Sequence, residues 1–130
     1  MTRLLHAALG GTLAFGLALL LLPGPTQAAF NGLLFGQAAL PAALAPAAGY
    51  IRFLYAVLGA VIAGWALTLL LLPLRRDRAA WRAAMAGWAL WFALDSAASL
   101  LLGFWPNALL NAGFFLLVAV PLWRLRPRRG

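Results

Sequence analysis

Asp95 is the residue in this chain best placed to do chemistry. It lies about nine residues before the end of an apolar stretch that closes at Phe104, about 13 Å along a helix rising 1.5 Å per residue. A carboxylate at that depth in a hydrocarbon layer costs about 2.5–3.5 kcal/mol on insertion scales, and ordinarily turns toward a protein interior or a watery cavity. Helical spacing puts Ser99 and Trp91 on the same face, with Trp88 and Leu102 one heptad step to either side. The stripe carries one acid, one hydroxyl and two indoles.

Arg52 is the basic residue expected on the opposite side of the membrane from the rest, at the outer end of the second apolar run, and its long side chain could reach Asp95 and lower the cost of burying both. Asn107 and Asn111, four apart at the start of the last run, complete an expected polar cluster of Arg52, Asp95, Ser99, Asn107 and Asn111. Such a cluster could bind a ligand or handle protons. Alternatively, its members hydrogen-bond to one another and set how the helices associate. No second acid, histidine or lysine stands beside Asp95 to relay protons, and the internal repeats common in transporters are lacking.

Other chemistries are quickly exhausted. There is no Gly-rich phosphate loop, no His-Glu-x-x-His, no Gly-x-Ser-x-Gly and no pair of acids at catalytic spacing, so the expectation is a protein that is not an enzyme. With no cysteine, disulfides and thiol catalysis are excluded; His6 is the single histidine and has no metal-ligand companions, so neither metal nor cofactor is expected.

The elements that would position Asp95 are read from hydropathy. Of 130 residues, 65% are hydrophobic and 9% charged, and mean hydropathy is +0.94, more apolar surface than a soluble domain of this size could hide. Apolar runs near or above the roughly 18 residues needed to cross a bilayer recur along the chain. The expected spans are about 4–22, 50–72, 80–104 and 107–123, making an all-α polytopic membrane protein, a four-helix transmembrane bundle in one domain. Trp105-Pro106 serves as a tight connection that forces the last two spans into an antiparallel hairpin.

The first run has two readings. Pro23-Gly24-Pro25 stops it as a membrane helix, with Gly10, Ala14 and Ala18 at packing spacing; the alternative is that Arg3, the leucines and Thr26-Gln27-Ala28 form a cleavable signal peptide followed by three spans, although the run exceeds the usual roughly 7–15 residues. Between the first and second spans, Pro41 and Pro46 argue against a straight crossing over 28–49. An interfacial or re-entrant segment is expected, with Phe30, Leu33 and Leu34 on one face and Asn31 or Gln37 toward water; an apolar loop is the alternative.

Net charge of +8 would suggest nucleic acid if it were spread over a surface. Instead the ten basic residues are all arginine, and nine fall at Arg3, Arg75, Arg76, Arg78, Arg82, Arg124, Arg126, Arg128 and Arg129, between or beside the apolar runs. That is positive-inside topology, with both termini cytoplasmic and no nucleic-acid partner. The same arginines attract anionic headgroups of the membrane lipids, and Asp77 in their midst is expected to pair locally. Arginine without lysine points to a GC-rich bacterial source.

Small residues at four-residue spacing, Ala56, Ala60 and Gly64 on the second span and Ala79, Ala83 and Gly87 on the third, are expected to allow close helix contact. Trp81, Trp105 and Trp123 fit an aromatic belt, whereas Trp65, Trp88 and Trp91 fall inside spans, the last two able to line a cavity.

The string Trp91-Phe92-Ala93-Leu94-Asp95-Ser96, followed by Gly103, Asn107, Ala108, Leu109, Asn111 and Pro121, resembles a pattern seen in small uncharacterised bacterial four-helix membrane proteins. The resemblance covers roughly the second half of the chain and implies a bacterial inner-membrane protein without implying a reaction. The resulting expectation is a structural or interaction subunit, either within a homo-oligomer or beside a membrane-protein partner. A small-molecule, lipid or proton site around Asp95 is the rival.

Overall fold

The computed structural model describes residues 2–127, so Arg128 and Arg129 of the terminal basic cluster lie outside the described residues. The chain forms α1 (Thr2–Leu21), α2 (Pro23–Phe35), a 3-10 segment over Ala42–Ala47 that runs into α3 (Ala48–Leu71), α4 (Arg78–Leu101) and α5 (Trp105–Arg124), with no strand among the described residues. Four helical stretches, Arg3–Leu21, Ala42–Leu71, Arg78–Leu101 and Trp105–Arg124, are long and apolar enough to cross a membrane. The protein is therefore an all-α, multi-pass membrane protein of the kind its hydropathy predicts.

Boundaries follow local chemistry. α1 ends at Leu21 before Pro23, as expected, but Pro23 also opens α2, because a proline at the first helical position forfeits only an amide that has no intrahelical acceptor. The expected interfacial or re-entrant stretch is thus partly regular: α2 has 13 residues, too few to span, and stops where Gly36 takes a left-handed conformation at φ 70°. Asn31 is not turned toward water. It is buried and donates its Nδ2–H to the Ala38 carbonyl at 3.1 Å, closing the turn after α2, while Gln37 is exposed.

α3 breaks before Pro73, whose carbonyl accepts both the Arg76 and Asp77 amides at 2.9 Å. Asp77 then caps α4, its Oδ1 accepting from the Ala79 and Ala80 amides at 2.7 and 3.1 Å. The acid's local partners are backbone amides at a helix start.

The connection between α4 and α5 lies one step earlier than Trp105-Pro106. Leu102-Gly103-Phe104 makes the turn, with Gly103 at φ 80°. The Phe104 amide bonds back to the Ser99 carbonyl at 2.7 Å and the Gly103 amide to that of Leu100 at 3.2 Å. This six-to-one and five-to-two pairing satisfies the last carbonyls of α4 and needs a residue tolerant of positive φ, which glycine supplies. Trp105 and Pro106 form the first turn of α5.

The chain divides into two compact units, Gly11–Leu67 and the segments before and after it. Within Gly11–Leu67, α1 meets α3 at Gly16 and Gly59: a Cβ built on Gly16 would stand 2.6 Å from the Ala63 nitrogen, and one on Gly59 would stand 2.5 Å from the Gly16 carbonyl oxygen. Backbones approach this closely only where side chains are absent. Ala60 and Gly64 of the expected stripe are exposed, so the α3 contact runs one residue away from that stripe. Phe30 of α2 sits 6.3 Å from the Phe15 ring and 5.8 Å from that of Tyr55, an edge-to-face arrangement in the second case.

In the other unit α4 packs along α5. The buried face of α4 is Trp81, Ala84, Trp88 and Ser99, while Ala79 and Ala83 are exposed. Two indoles, with Ala84 and Ser99, make this seam in place of the expected small-residue stripe. Trp81 donates its indole N–H to the Leu122 carbonyl at 2.8 Å, and Trp88 donates to that of Phe115 at 3.1 Å. The Leu122 carbonyl, in the last turn of α5, also accepts the Leu125 amide at 3.1 Å, so it and the Phe115 carbonyl each offer the indole a second lone pair.

Candidate functional site

Asp95 and Ser99 are one turn apart on α4, and the Gly103 turn folds the start of α5 back so that Asn107 reaches both. Asn107 donates from Nδ2 to Asp95 Oδ1 at 3.2 Å and to Ser99 Oγ at 2.8 Å, which uses both of its amide hydrogens. The Ser99 hydroxyl points its own hydrogen to the Asp95 backbone carbonyl at 2.7 Å, with Asp95 Oδ1 further off at 3.4 Å. Ser99 is buried, and Asp95 and Asn107 are half-buried. Three of the five residues expected together are therefore one hydrogen-bonded knot within the hairpin.

Asn111, a turn beyond Asn107, is buried, but its Nδ2 has no hydrogen-bond partner among the described residues. Ser96 Oγ, beside Asp95 in sequence, is likewise buried and unpartnered. An unpaired buried donor costs about 1–3 kcal/mol, so each marks a place where an acceptor would be welcome.

Arg52 belongs to the Gly11–Leu67 unit, in which it is the one charged residue. Its Nε donates to Oε1 of buried Gln27 at 3.3 Å. Gln27, which by sequence falls in the cleavage-site motif, is thus a polar partner that the expected cluster does not include. A glutamine in an otherwise apolar stretch, opposite a lone arginine, is the signal that was available.

The arrangement can hold a carboxylate by donors, and it can lock two helices. No group of three or more metal-ligating side chains occurs among the described residues. Trp88, rather than lining a cavity, is buried with its ring 5.3 Å from that of Trp91 and its N–H committed to α5. Trp81 is also buried, unlike the exposed Trp105 and Trp123 that suit a membrane boundary. Arg126 lies 5.6 Å from the Trp81 ring centre and 5.8 Å from that of Trp123, a double cation–π contact beyond the end of α5. Comparison with protein-family models, with curated proteins and with solved structures finds no match.

Proposed function

We propose that the chain is a bacterial inner-membrane protein, both termini cytoplasmic, that works without catalysis as a structural or interaction subunit, in a homo-oligomer or with another membrane protein. The observation that carries this reading is that three polar side chains of the α4–α5 hairpin, Asp95, Ser99 and Asn107, are spent on one another, while two indoles serve α5 carbonyls. Large apolar side chains meanwhile stand exposed on every long helix, among them Leu17, Val61, Leu94 and Leu116, as lipid or a neighbouring helix requires. The positive-inside distribution of arginines supports the orientation, and the Gly16–Gly59 crossing supports retention of α1 over its removal as a signal peptide. Membrane lipids are the expected surroundings, and nucleic acid is not a partner in this reading.

The test is Asp95→Asn, scored for folded yield in detergent and for the phenotype of cells lacking the protein. Asparagine keeps an acceptor for Asn107, so a structural knot retains both fold and complementation. Retained fold with lost complementation overturns the subunit reading.

A second reading, a small-molecule, lipid or proton site at Asp95, is favoured by one observation, the unpartnered Nδ2 of Asn111. Asn111→Leu separates the two. Under the subunit reading it leaves complementation intact, and under the site reading it abolishes it.

A further inference from the structure

A groove of about 290 Å³ opens where α3 gives way to the Pro73 loop. Its wall includes the buried leucines Leu5 and Leu9 of α1, Leu69 of α3 and Leu74 of the loop, and its rim includes Arg75 and Arg76. We propose that this groove binds one anionic phospholipid, a fatty-acyl chain lying against the leucines and the phosphate resting on Arg75 and Arg76. The site is separate from the knot at Asp95 and goes beyond the subunit reading.

Polarity supplies the first argument. The lining passes from leucines within membrane-spanning helices to arginines on the loop that follows, the same order in which a phospholipid passes from chain to phosphate. Charge supplies the second. Both arginines are exposed, no carboxylate among the described residues lines the groove, and the nearest acid in sequence, Asp77, accepts from the Ala79 and Ala80 amides. The positive charge on the rim is thus left for a ligand. Size supplies the third: at about 290 Å³ the groove is at or below the lower end of pockets that enclose a whole drug-sized molecule, about 300–1,000 Å³, and suits part of a long apolar chain. A water-soluble anion would have no use for the leucine wall.

The experiment is native mass spectrometry of the full chain in detergent, titrated with dioleoyl phosphatidylglycerol or with dioleoyl phosphatidylcholine. One phosphatidylglycerol should bind in preference to phosphatidylcholine. Arg75→Gln with Arg76→Gln should weaken it by about thirtyfold, about fivefold for each arginine at the surface. Arg82→Gln with Arg124→Gln removes the same charge from exposed positions off the groove and should change binding little. Equal affinity for the two lipids, or equal loss in the two double variants, would overturn the proposal in favour of diffuse attraction to the surface. Displacement of the lipid by millimolar inorganic phosphate would also overturn it, by showing a bare anion site.

Discussion

Asn107 donates to the carboxylate of Asp95 across the α4–α5 turn, Nδ2 to Oδ1 at 3.2 Å, and its second hydrogen goes to Ser99 Oγ. One amide on α5 therefore answers two acceptors on α4, and Gly103 makes the geometry available by turning the chain at positive φ. Loss of Asn107 leaves a half-buried carboxylate without this donor. Asn107→Leu should destabilise the folded protein by about 1–3 kcal/mol, read as a shift in the denaturant midpoint of the protein in mixed micelles. Asn107→Asp should be worse, because it sets a second acid against Asp95.

Gly59 and Gly64 give a paired prediction. A methyl group at Gly59 would stand 2.5 Å from the Gly16 carbonyl oxygen and the Leu20 nitrogen, whereas one at Gly64 meets nothing within 4 Å. Gly59→Ala should force α1 and α3 apart and lower thermal stability in detergent, as overpacking by about 1–3 kcal/mol does. Gly64→Ala should be neutral or mildly stabilising, since alanine is the better helix former by about 1 kcal/mol.

The indoles of Trp81 and Trp88 can be separated from their bulk. Replacing either by Phe keeps much of the packing and removes the N–H that reaches Leu122 or Phe115, at an expected cost of about 1 kcal/mol each. Ala at Trp88 removes the ring as well and should cost about 3–5 kcal/mol. Denaturant unfolding of the two Phe variants and Trp88→Ala would order them in that way; equal effects of Phe and Ala at Trp88 would show that packing contributes little.

Asp77 is a helix cap in the middle of an arginine loop. Asp77→Ala should fray the start of α4 and cost about 1 kcal/mol, while Asp77→Asn, also a good cap, should restore most of it. Amide hydrogen exchange at Ala79 and Ala80 is the direct measurement. If Asn rescues nothing, the carboxylate charge among the arginines matters more than the cap.

The hydrophobic runs, their number and the hairpin of the last two were legible in the sequence because lipid demands long uninterrupted apolar helices, and that demand is written residue by residue. The knot was legible as well, for a polar residue in such a run has few places to go: Asp95, Ser99 and Asn107 were brought together by spacing and by a short turn. Cap chemistry was readable but overlooked, in Asp77 immediately before α4.

Helix faces were decided by tertiary structure. Small residues recur at four-residue spacing on more than one face of α1 and α3, and spacing does not distinguish Gly59 and Ala63, which meet Gly16, from Ala60 and Gly64, which are exposed. On α4 the packing face is the one carrying Trp81 and Trp88, since an indole N–H in an apolar setting must find an acceptor and α5 offers one. Arg52 followed the same rule of satisfaction, with Gln27 of its own unit as the acceptor it found. Sequence by itself determined which segments prefer lipid, because transfer free energy is a property of each residue; the assembled helices decided which donor meets which acceptor, because a hydrogen bond depends on where two chains of atoms come to lie.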